Sequence, residues 1–306
     1  MIPSDIHHKK ILYSALNWGM GHVSRSIGMI QQLEKNGNTI YMACSESQKR
    51  IFVEYLPKIS FIPHEDYPFR FKGKGSFEKD LIQNSLKLRA RMRKEERDVE
   101  IYLSENKIDL IISDHRYGFR SEKTPSIFIT HQLNLPLKWY ASFVQKWHEQ
   151  LMGKFDAIWV LDFENSSLAG ELSKNKSELN VYYIGPYSRF MFQNEEMSQN
   201  GLNVLIASGP TVYAQQFINE NLALLNREET QVIAADSVEV PDDWCRVSND
   251  WKEQDVAILN AKKIISRSGY STLMDLHFLQ KPFSVFPTKG QAEQEYLAQL
   301  VNFNKL

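Results

Sequence analysis

The stretch that decides the fold is Lys262–Val301, KKIISRSGYSTLMDLHFLQKPFSVFPTKGQAEQEYLAQLV. An apolar, β-rich run over Lys263–Ser266 leads into the small-residue turn Arg267–Thr272, and an amphipathic helix follows the turn. A second strand over Phe283–Phe286 then leads into a polar loop that opens another helix. Small residues between a strand and a helix leave backbone N–H groups free at the positive end of the helix dipole. The segment therefore predicts an anion-binding turn that fits the phosphates of a nucleotide.

Strands and helices alternate along nearly the whole chain, which is the pattern of a parallel sheet wrapped by helices. The other predicted strands are Ile11–Ala15, Thr39–Cys44, Ile59–Pro63, Asp109–Ser113, Ser126–Thr130, Ala157–Leu161, Val181–Ile184, Asn203–Ala207 and Gln231–Ala235. The other predicted helices are Val23–Lys35, Phe77–Glu105, Pro136–Lys154, Val212–Asn226 and Trp251–Asn260.

The alternation is interrupted over residues 187–200, which are polar. We therefore expect an N-terminal domain over 1–186, a linker over 187–200 and a C-terminal domain over 201–306. The fold class is α/β, with two doubly wound, Rossmann-like domains facing each other across a cleft. Ligands of such sheets bind at the carboxyl ends of the strands.

The composition is that of an ordinary globular protein and bears on its partners. Of the 306 residues 42% are hydrophobic, and the net charge is −1. This balance gives no overall attraction to nucleic acid, so we expect no nucleic-acid partner. Two cysteines without metal-type spacing favour the reducing cytoplasm. The N-terminus lacks the apolar core of a signal peptide, and no apolar run approaches the roughly 18 residues of a membrane span. We expect a cytoplasmic protein, soluble or at most peripheral to the inner face of the membrane.

The first predicted strand runs into a glycine-containing loop that ends in a histidine. Gly19 and Gly21 let the backbone turn sharply and approach a ligand closely. His22 stands at the start of the following helix, where a neutral imidazole is able to take a proton from an acceptor hydroxyl. The loop is not a dinucleotide-binding fingerprint, because Ser24 stands where the third glycine belongs. A helix-capping histidine with a structural loop explains the same residues equally well.

Two more polar clusters follow predicted strands of the first domain. Asp114 comes directly after Asp109–Ser113, and His131 comes directly after Ser126–Thr130. Because the carboxyl ends of parallel strands meet at one edge of a sheet, both side chains are expected on the same rim as His22. Asp114 and His131 are therefore second-choice candidates for the base.

The C-terminal domain contains two strand–turn–helix junctions rich in serine and glycine. Two such turns side by side would surround a diphosphate with N–H and hydroxyl donors, and Arg267 would add positive charge. Asp275 is expected to bind ribose hydroxyls, and Gln294 and Glu295 sugar hydroxyls. Ordinary turn and N-cap chemistry uses the same residue types and is the alternative. The candidate donor-binding residues of this domain are Ser208, Gly209, Arg267, Ser268, Gly269, Ser271, Thr272, Asp275, Gln291, Gln294 and Glu295.

The sequence has no compact motif for a metal or a cofactor. No H-x-x-x-H, H-E-x-x-H or D-x-D arrangement occurs, and neither a Walker loop nor a G-x-S-x-G elbow is present. We therefore expect neither group. The basic run from Lys87 to Arg97 is interleaved with acids, which predicts a solvated helix face, with contact to anionic lipid as the minor alternative.

With these residues together, the chain resembles the GT-B glycosyltransferases, and within them family 28. That family includes the N-acetylglucosaminyl transferase of lipid II synthesis. The strongest match is ISRSGYSTLMDL…KPFSVFPTKGQAEQEYLA, which is similar to the family's donor-binding signature of S-R-(S/A)-G, a helical acid, G-x-P and a glutamine-rich loop. Asp275 stands where the family has a glutamate for the ribose. Gln294 matches one of its paired glutamines, and Glu295 replaces the other.

The resemblance extends over nearly the whole chain. Asn17–His22 resembles the family's glycine-rich N-terminal loop, and Ser208-Gly209 resembles a shortened form of its phosphate loop. His131–Asn134 resembles its H-E-Q-N stretch, with Gln132 in place of the glutamate. Arg189 resembles an arginine found just after the linker strand. The motifs NWGMGH, ISDHRYGF, FITHQLN, DFE, IGPYSRF, SGP and RSGYSTLMDL together look like those of a group of bacterial family 28-like glycosyltransferases.

The resemblance implies an inverting, metal-independent transferase that moves a sugar from a UDP-sugar to an acceptor hydroxyl. It implies a nucleotide bound to the C-terminal domain and an acceptor bound to the N-terminal domain, with His22 as the base. The acceptor would be lipid- or glycan-linked, with peripheral membrane contact. Two alternatives stay open: a sugar-nucleotide hydrolase or epimerase, and a non-catalytic nucleotide-sugar-binding protein. The family's last helix, which crosses back onto the first domain, has no counterpart before Leu306, so either this helix is missing or the sequence is shortened.

Overall fold

Continuous apolar runs form the central strands, because strands covered by helices on both faces are apolar at nearly every position. Leu110–Asp114 and Ser126–Thr130 are buried along their whole length. The computed structural model describes residues 1–17, 21–67, 84–136, 142–193 and 201–304. Internal contacts divide the chain into two compact units, and their main boundary lies between Arg189 and Phe190.

Unit 1 contains a seven-stranded sheet in which every neighbouring pair is parallel. Its strands are β1 Lys10–Ala15, β2 Thr39–Cys44, β3 Ser60–Pro63, β4 Leu110–Asp114, β5 Ser126–Thr130, β6 Ala157–Val160 and β7 Val181–Tyr183. Its described α-helices are α1 Gly21–Lys35, α2 Glu46–Tyr55, α3 Ser85–Glu105 and α4 Ser142–Met152. The spatial order is β3-β2-β1-β4-β5-β6-β7, so the winding reverses between β1 and β4.

Unit 2 repeats this design with five parallel strands. The strands are β8 Asn203–Ala207, β9 Thr230–Ala234, β10 Cys245–Arg246, β11 Ile264–Arg267 and β12 Phe283–Phe286. Its α-helices are α5 Thr211–Asn221, α6 Trp251–Asn260, α7 Tyr270–Leu279 and α8 Ala292–Asn304. The order β10-β9-β8-β11-β12 reverses between β8 and β11. The prediction of two doubly wound, Rossmann-like sheets is therefore confirmed.

One helix was absent from the predicted elements. Helix α2 follows Ser45, whose backbone N–H donates to Gln48 Oε1 at 3.4 Å in the manner of a capping box. The predicted helices Phe77–Glu105 and Pro136–Lys154 are described only from Ser85 and Ser142 onward. None of the helices in the described ranges is long and apolar enough to cross a bilayer.

Candidate functional site

The winding reversal of unit 1 brings two of the predicted site residues together. β1 and β4 are parallel neighbours, with Ala15 in register with Asp114. The chain leaving β1 enters α1 at Gly21, so the first turn of α1 lies beside the end of β4. Ligands of doubly wound sheets bind at such a reversal. Gly19 lies outside the described residues.

His22 and Asp114 form a hydrogen-bonded pair at this edge. The His22 Nδ1 lies 3.1 Å from Asp114 Oδ1. The Asp114 side chain is fully buried, whereas His22 keeps 15% of its side chain exposed. Burial and the nearby Arg25 cation lower the pKa of His22, although Asp114 opposes them. The ring is therefore neutral at pH 7, which is the form that accepts a proton.

Arg25 is the counter-ion of Asp114 and lies one helical turn after His22. Its Nε donates to Asp114 Oδ2 at 2.8 Å, and its Nη2 donates to Asp114 Oδ1. The side chain is only 2% exposed. Burial alone raises the pKa of the Asp114 carboxyl, but Arg25 and His22 outweigh it and hold the pKa well below its usual range. Asp114 is therefore ionised, which makes it an orienting carboxylate and a poor base at pH 7.

Two more histidines lie around the pair. The His131 Nδ1 is 3.4 Å from Arg25 Nη1. The ring centroid of His115 is 5.8 Å from that of His22 and 6.5 Å from that of His131. His115 has a left-handed backbone, with φ of 62°, and its buried Nδ1 has no hydrogen-bond partner in the described part of the chain. The rim thus combines three imidazoles with one buried ion pair.

Arg189, assigned to the donor by resemblance, lies in unit 1. Its Nη1 donates to Ser24 Oγ at 2.8 Å, in the first turn of α1 and close in sequence to His22. Gln132, which replaces the family's glutamate, is 8% exposed. Its carbonyl lies 2.9 Å from Nε2 of the buried His148.

A buried polar network holds the end of β4 at Asp114 and the loop that begins at His115. The Arg116 Nε donates to Glu95 Oε1 at 2.6 Å, and both side chains are almost fully buried. Tyr67 donates its hydroxyl to Glu95 Oε2 at 2.6 Å, and His64 Nε2 lies 2.9 Å from Glu95 Oε1. This network ties α3 to the end of β4. The basic run on α3 is therefore not a uniformly solvated face, because Arg91 and Glu95 within it are buried.

In unit 2, the predicted phosphate turns lie at the corresponding reversal. β8 and β11 are parallel neighbours, with Ile206 in register with Ser266. The turns at Ser208 and Ser268, each two residues further on, therefore leave the sheet side by side. Helices α5 and α7 begin directly after these turns.

Neither helix is capped by its own N-cap side chain. The N-cap residues are Pro210 for α5 and Gly269 for α7, and neither has a side-chain acceptor. By contrast, Asp250 caps α6 by accepting a hydrogen bond from Glu253 N at 3.0 Å. Within the described residues, a Cβ on Gly209 would meet no atom within 4 Å, and one on Gly269 would meet only Thr272 Oγ1 at 3.9 Å. The space beside these two glycines is therefore open.

Arg267 lies behind the turns, and its guanidinium is already engaged. Its Nη1 donates to Pro287 O at 2.8 Å, and its Nη2 is 3.6 Å from Glu220 Oε2. Its Cζ also lies 4.5 Å from the ring centroid of Phe217. These contacts give Arg267 a structural role. A contribution to diphosphate binding stays a prediction.

The glutamine-rich loop is closed by its own side chains. Gln294 Oε1 accepts from Thr288 N at 2.9 Å, and Glu295 Oε1 accepts from Gly290 N at 2.8 Å. Ser268 donates its hydroxyl to Gln294 O at 2.8 Å, so the loop packs against the phosphate turn. The remaining predicted donor residues are half-buried on α7 or in the loop: Ser271, Thr272, Asp275 and Gln291.

Arg25 and His115 were not among the candidates that the sequence indicated. His115 adjoins Asp114 in the cluster at the end of β4, and that position was the available signal. Arg25 lies three residues after His22, so both lie on one face of a helix. An arginine on a polar-looking helical face is usually solvated, so only the contact with Asp114, 89 residues away, identifies its role.

Neither of two comparisons by sequence finds a match. No protein-family profile matches the chain, and no curated protein matches it at a significant level.

Comparison by structure finds many glycosyltransferases. The glycotransferase of kitacinnamycin is 15% identical, with a TM-score of 0.63 over 97% of this chain and 85% of the other. UGT2 of Phytolacca americana, solved with UDP-2fluoro-glucose and pterostilbene, is 13% identical, with a TM-score of 0.57 over 96% and 83%. SsfS6 of Streptomyces sp. SF2575, solved with thymidine diphosphate, is 15% identical, with a TM-score of 0.56 over 97% and 86%. The chain therefore has the GT-B fold that these proteins share.

Proposed function

We propose that this protein is an inverting, metal-independent glycosyltransferase, similar to family 28, that moves a sugar from a UDP-sugar to an acceptor hydroxyl. The observation that carries the proposal is the His22–Asp114 pair, 3.1 Å apart at the winding reversal of unit 1. A neutral histidine oriented by a buried carboxylate is a suitable general base for a hydroxyl.

In the proposed reaction, Asp114 accepts a hydrogen bond from His22 Nδ1–H, which leaves the lone pair on Nε2. The acceptor oxygen attacks the anomeric carbon and passes its proton to Nε2. The bond from that carbon to the diphosphate breaks at the same time, so the anomeric configuration inverts. The acceptor is proposed to be lipid- or glycan-linked.

The leaving nucleoside diphosphate is assigned to unit 2. The N-termini of α5 and α7, whose N-cap residues have no side-chain acceptor, supply backbone N–H donors and the positive ends of two helix dipoles. Such donors stabilise the charge that develops on a leaving diphosphate. Two solved proteins of this fold carry UDP-2fluoro-glucose and thymidine diphosphate, which supports a nucleoside diphosphate here.

Titration and turnover together test the proposal. We expect UDP or a UDP-sugar to bind in calorimetry, with equal affinity with and without EDTA. The variant His22→Ala should lose at least about 100-fold in sugar transfer, the usual contribution of a general base, with its UDP affinity nearly unchanged. Thymidine diphosphate serves as the comparison nucleotide.

Three outcomes would contradict the assignment. If no UDP-sugar binds at millimolar concentration, the donor site is wrong. If His22→Ala keeps normal turnover, His22 is not the base. Fast release of free sugar in the absence of an acceptor would favour a hydrolase on the same fold.

A further inference from the structure

Arg25 contacts His22 itself and two ionisable groups near it, Asp114 and His131. Its Nε and Nη2 bind both oxygens of Asp114. The same Nη2 lies 2.8 Å from His22 Nδ1, and Nη1 lies 3.4 Å from His131 Nδ1. A guanidinium has donors only, so Arg25 is the hydrogen-bond donor in each of these contacts.

The contact between His22 and Asp114 and the contact between Arg25 and His22 require opposite protonation of His22 Nδ1. A hydrogen bond to Asp114 requires a proton on Nδ1, which leaves Nε2 as the free acceptor. A hydrogen bond from Arg25 requires a bare Nδ1, which moves the proton of the neutral ring to Nε2. Only the first tautomer serves as a base through Nε2. Arg25 and Asp114 therefore compete over one atom.

The other groups facing His22 do not settle this competition. His115, from the end of β4, and His131, from the end of β5, contribute rings that disfavour further positive charge. Tyr13, from β1, is bonded through its hydroxyl to Ser26, 3.0 Å away, and lies near Asp114. On α1 the charged neighbour is Arg25, one turn along from His22 and only 2% exposed.

We propose that Arg25 is a positioning residue that acts through His22: by binding both oxygens of Asp114 and approaching Nδ1, it keeps the ring neutral. Without Arg25, the unshared carboxylate would hold a proton on Nδ1 and favour the imidazolium. The role of the neutral ring in catalysis rests on the proposed function, whereas the proton equilibrium does not.

The test is a histidine NMR titration that needs no substrate. His22 signals are assigned by their absence in His22→Gln. In the wild type the ring should stay neutral to below pH 6.5, the ordinary histidine value. In Arg25→Gln its midpoint should rise by about one pH unit or more, as expected when a contacting cation is removed. Arg25→Lys should restore part of the low midpoint.

Each outcome decides one claim. A wild-type midpoint at or above 6.5 overturns the inference even if both variants fail to fold. An unchanged midpoint in folded Arg25→Gln overturns it as well, because a purely structural arginine would not move the equilibrium. Where transfer is measurable, the acid limb of kcat/KM should follow the NMR midpoint. A shifted midpoint in a protein that transfers no sugar would leave the inference standing and reject the proposed function.

Discussion

Buried carboxylates in unit 1 serve different purposes according to their partners. Asp114 binds a cation and an imidazole, whereas Asp162 accepts from neutral donors in the loop after β6. Its Oδ1 accepts from Phe163 N at 2.7 Å and Leu168 N at 3.0 Å, and its Oδ2 accepts from Ala169 N at 2.8 Å. The aspartate of the D-F-E motif therefore stabilises the loop after β6.

Asp162→Ala should destabilise unit 1 by about 2–4 kcal/mol, because it leaves several buried N–H groups unpaired, each costing about 1–3 kcal/mol. Chemical denaturation measures this loss, and nucleotide affinity should not change. Asp156→Ala is the matched control. Asp156 is exposed and accepts from Ser126 N at 2.7 Å, so its loss should cost about 1 kcal/mol or less. Equal losses in the two variants would contradict the role of Asp162.

At the level of whole elements, sequence periodicity predicted most strands and placed the candidates Asp114 and His131 at the carboxyl ends of β4 and β5, where the structure has them. A short, continuous apolar run bounded by turn residues is typical of a buried strand, so β4 and β5 were predicted correctly. Helix α2 was missed because its apolar side is only two turns long, although Ser45 and Gln48 carried a capping signal.

Contacts between elements could not be predicted in the same way. Gln294 and Glu295 were expected to bind sugar hydroxyls, and the same oxygens cap the loop that they lie in. A polar side chain at a helix start is able either to bind a ligand or to bond to the nearby backbone, and residue type does not distinguish the two roles. Arg25 was missed for a related reason, because its partner Asp114 is distant in sequence and close only in the folded sheet.

The phosphate turns of unit 2 give a prediction at the same scale. Gly269 has φ of −70° and an extended conformation that other residues adopt, and the space beside it is open. Gly269→Val should therefore fold with nearly unchanged stability while its side chain occupies the space of the diphosphate. We expect UDP affinity, measured by calorimetry, to fall at least tenfold.

Asp250→Ala is the control for that variant, because it removes the cap of α6, which does not follow a strand at the reversal. It should lower the free energy of unfolding by about 1 kcal/mol and leave UDP affinity unchanged. If Gly269→Val binds UDP normally, the N-terminus of α7 is not the phosphate site.

Across the whole molecule, the two units differ in how many histidines they contain. Of the eight histidines, only His277 lies in unit 2. Burial lowers the pKa of four histidines in unit 1: His22, His64, His115 and His148. For His148 the pKa falls to about 4. Unit 1 therefore contains a group of histidines that stay neutral when folded.

Acidification should consequently weaken unit 1 before unit 2. Below pH 6.5 these histidines bind protons more readily in the unfolded chain than in the folded one, so stability falls as the pH falls, by at most about 1.4 kcal/mol per unit for each. Glu95 affects stability only at lower pH. Burial raises its pKa, but Arg116 and its hydrogen bonds lower it to about 2, so its contribution to stability is lost only below pH 4.5.

Hydrogen exchange at pH 7.5 and 5.5, corrected for intrinsic rates, tests the acid sensitivity of unit 1. It should show larger losses of protection in β1, β4 and β5 than in β8 and β11. His148→Gln, which removes one titrating ring, should reduce the slope by about one proton, and an equal loss of protection in both sheets would refute this origin of the acid sensitivity.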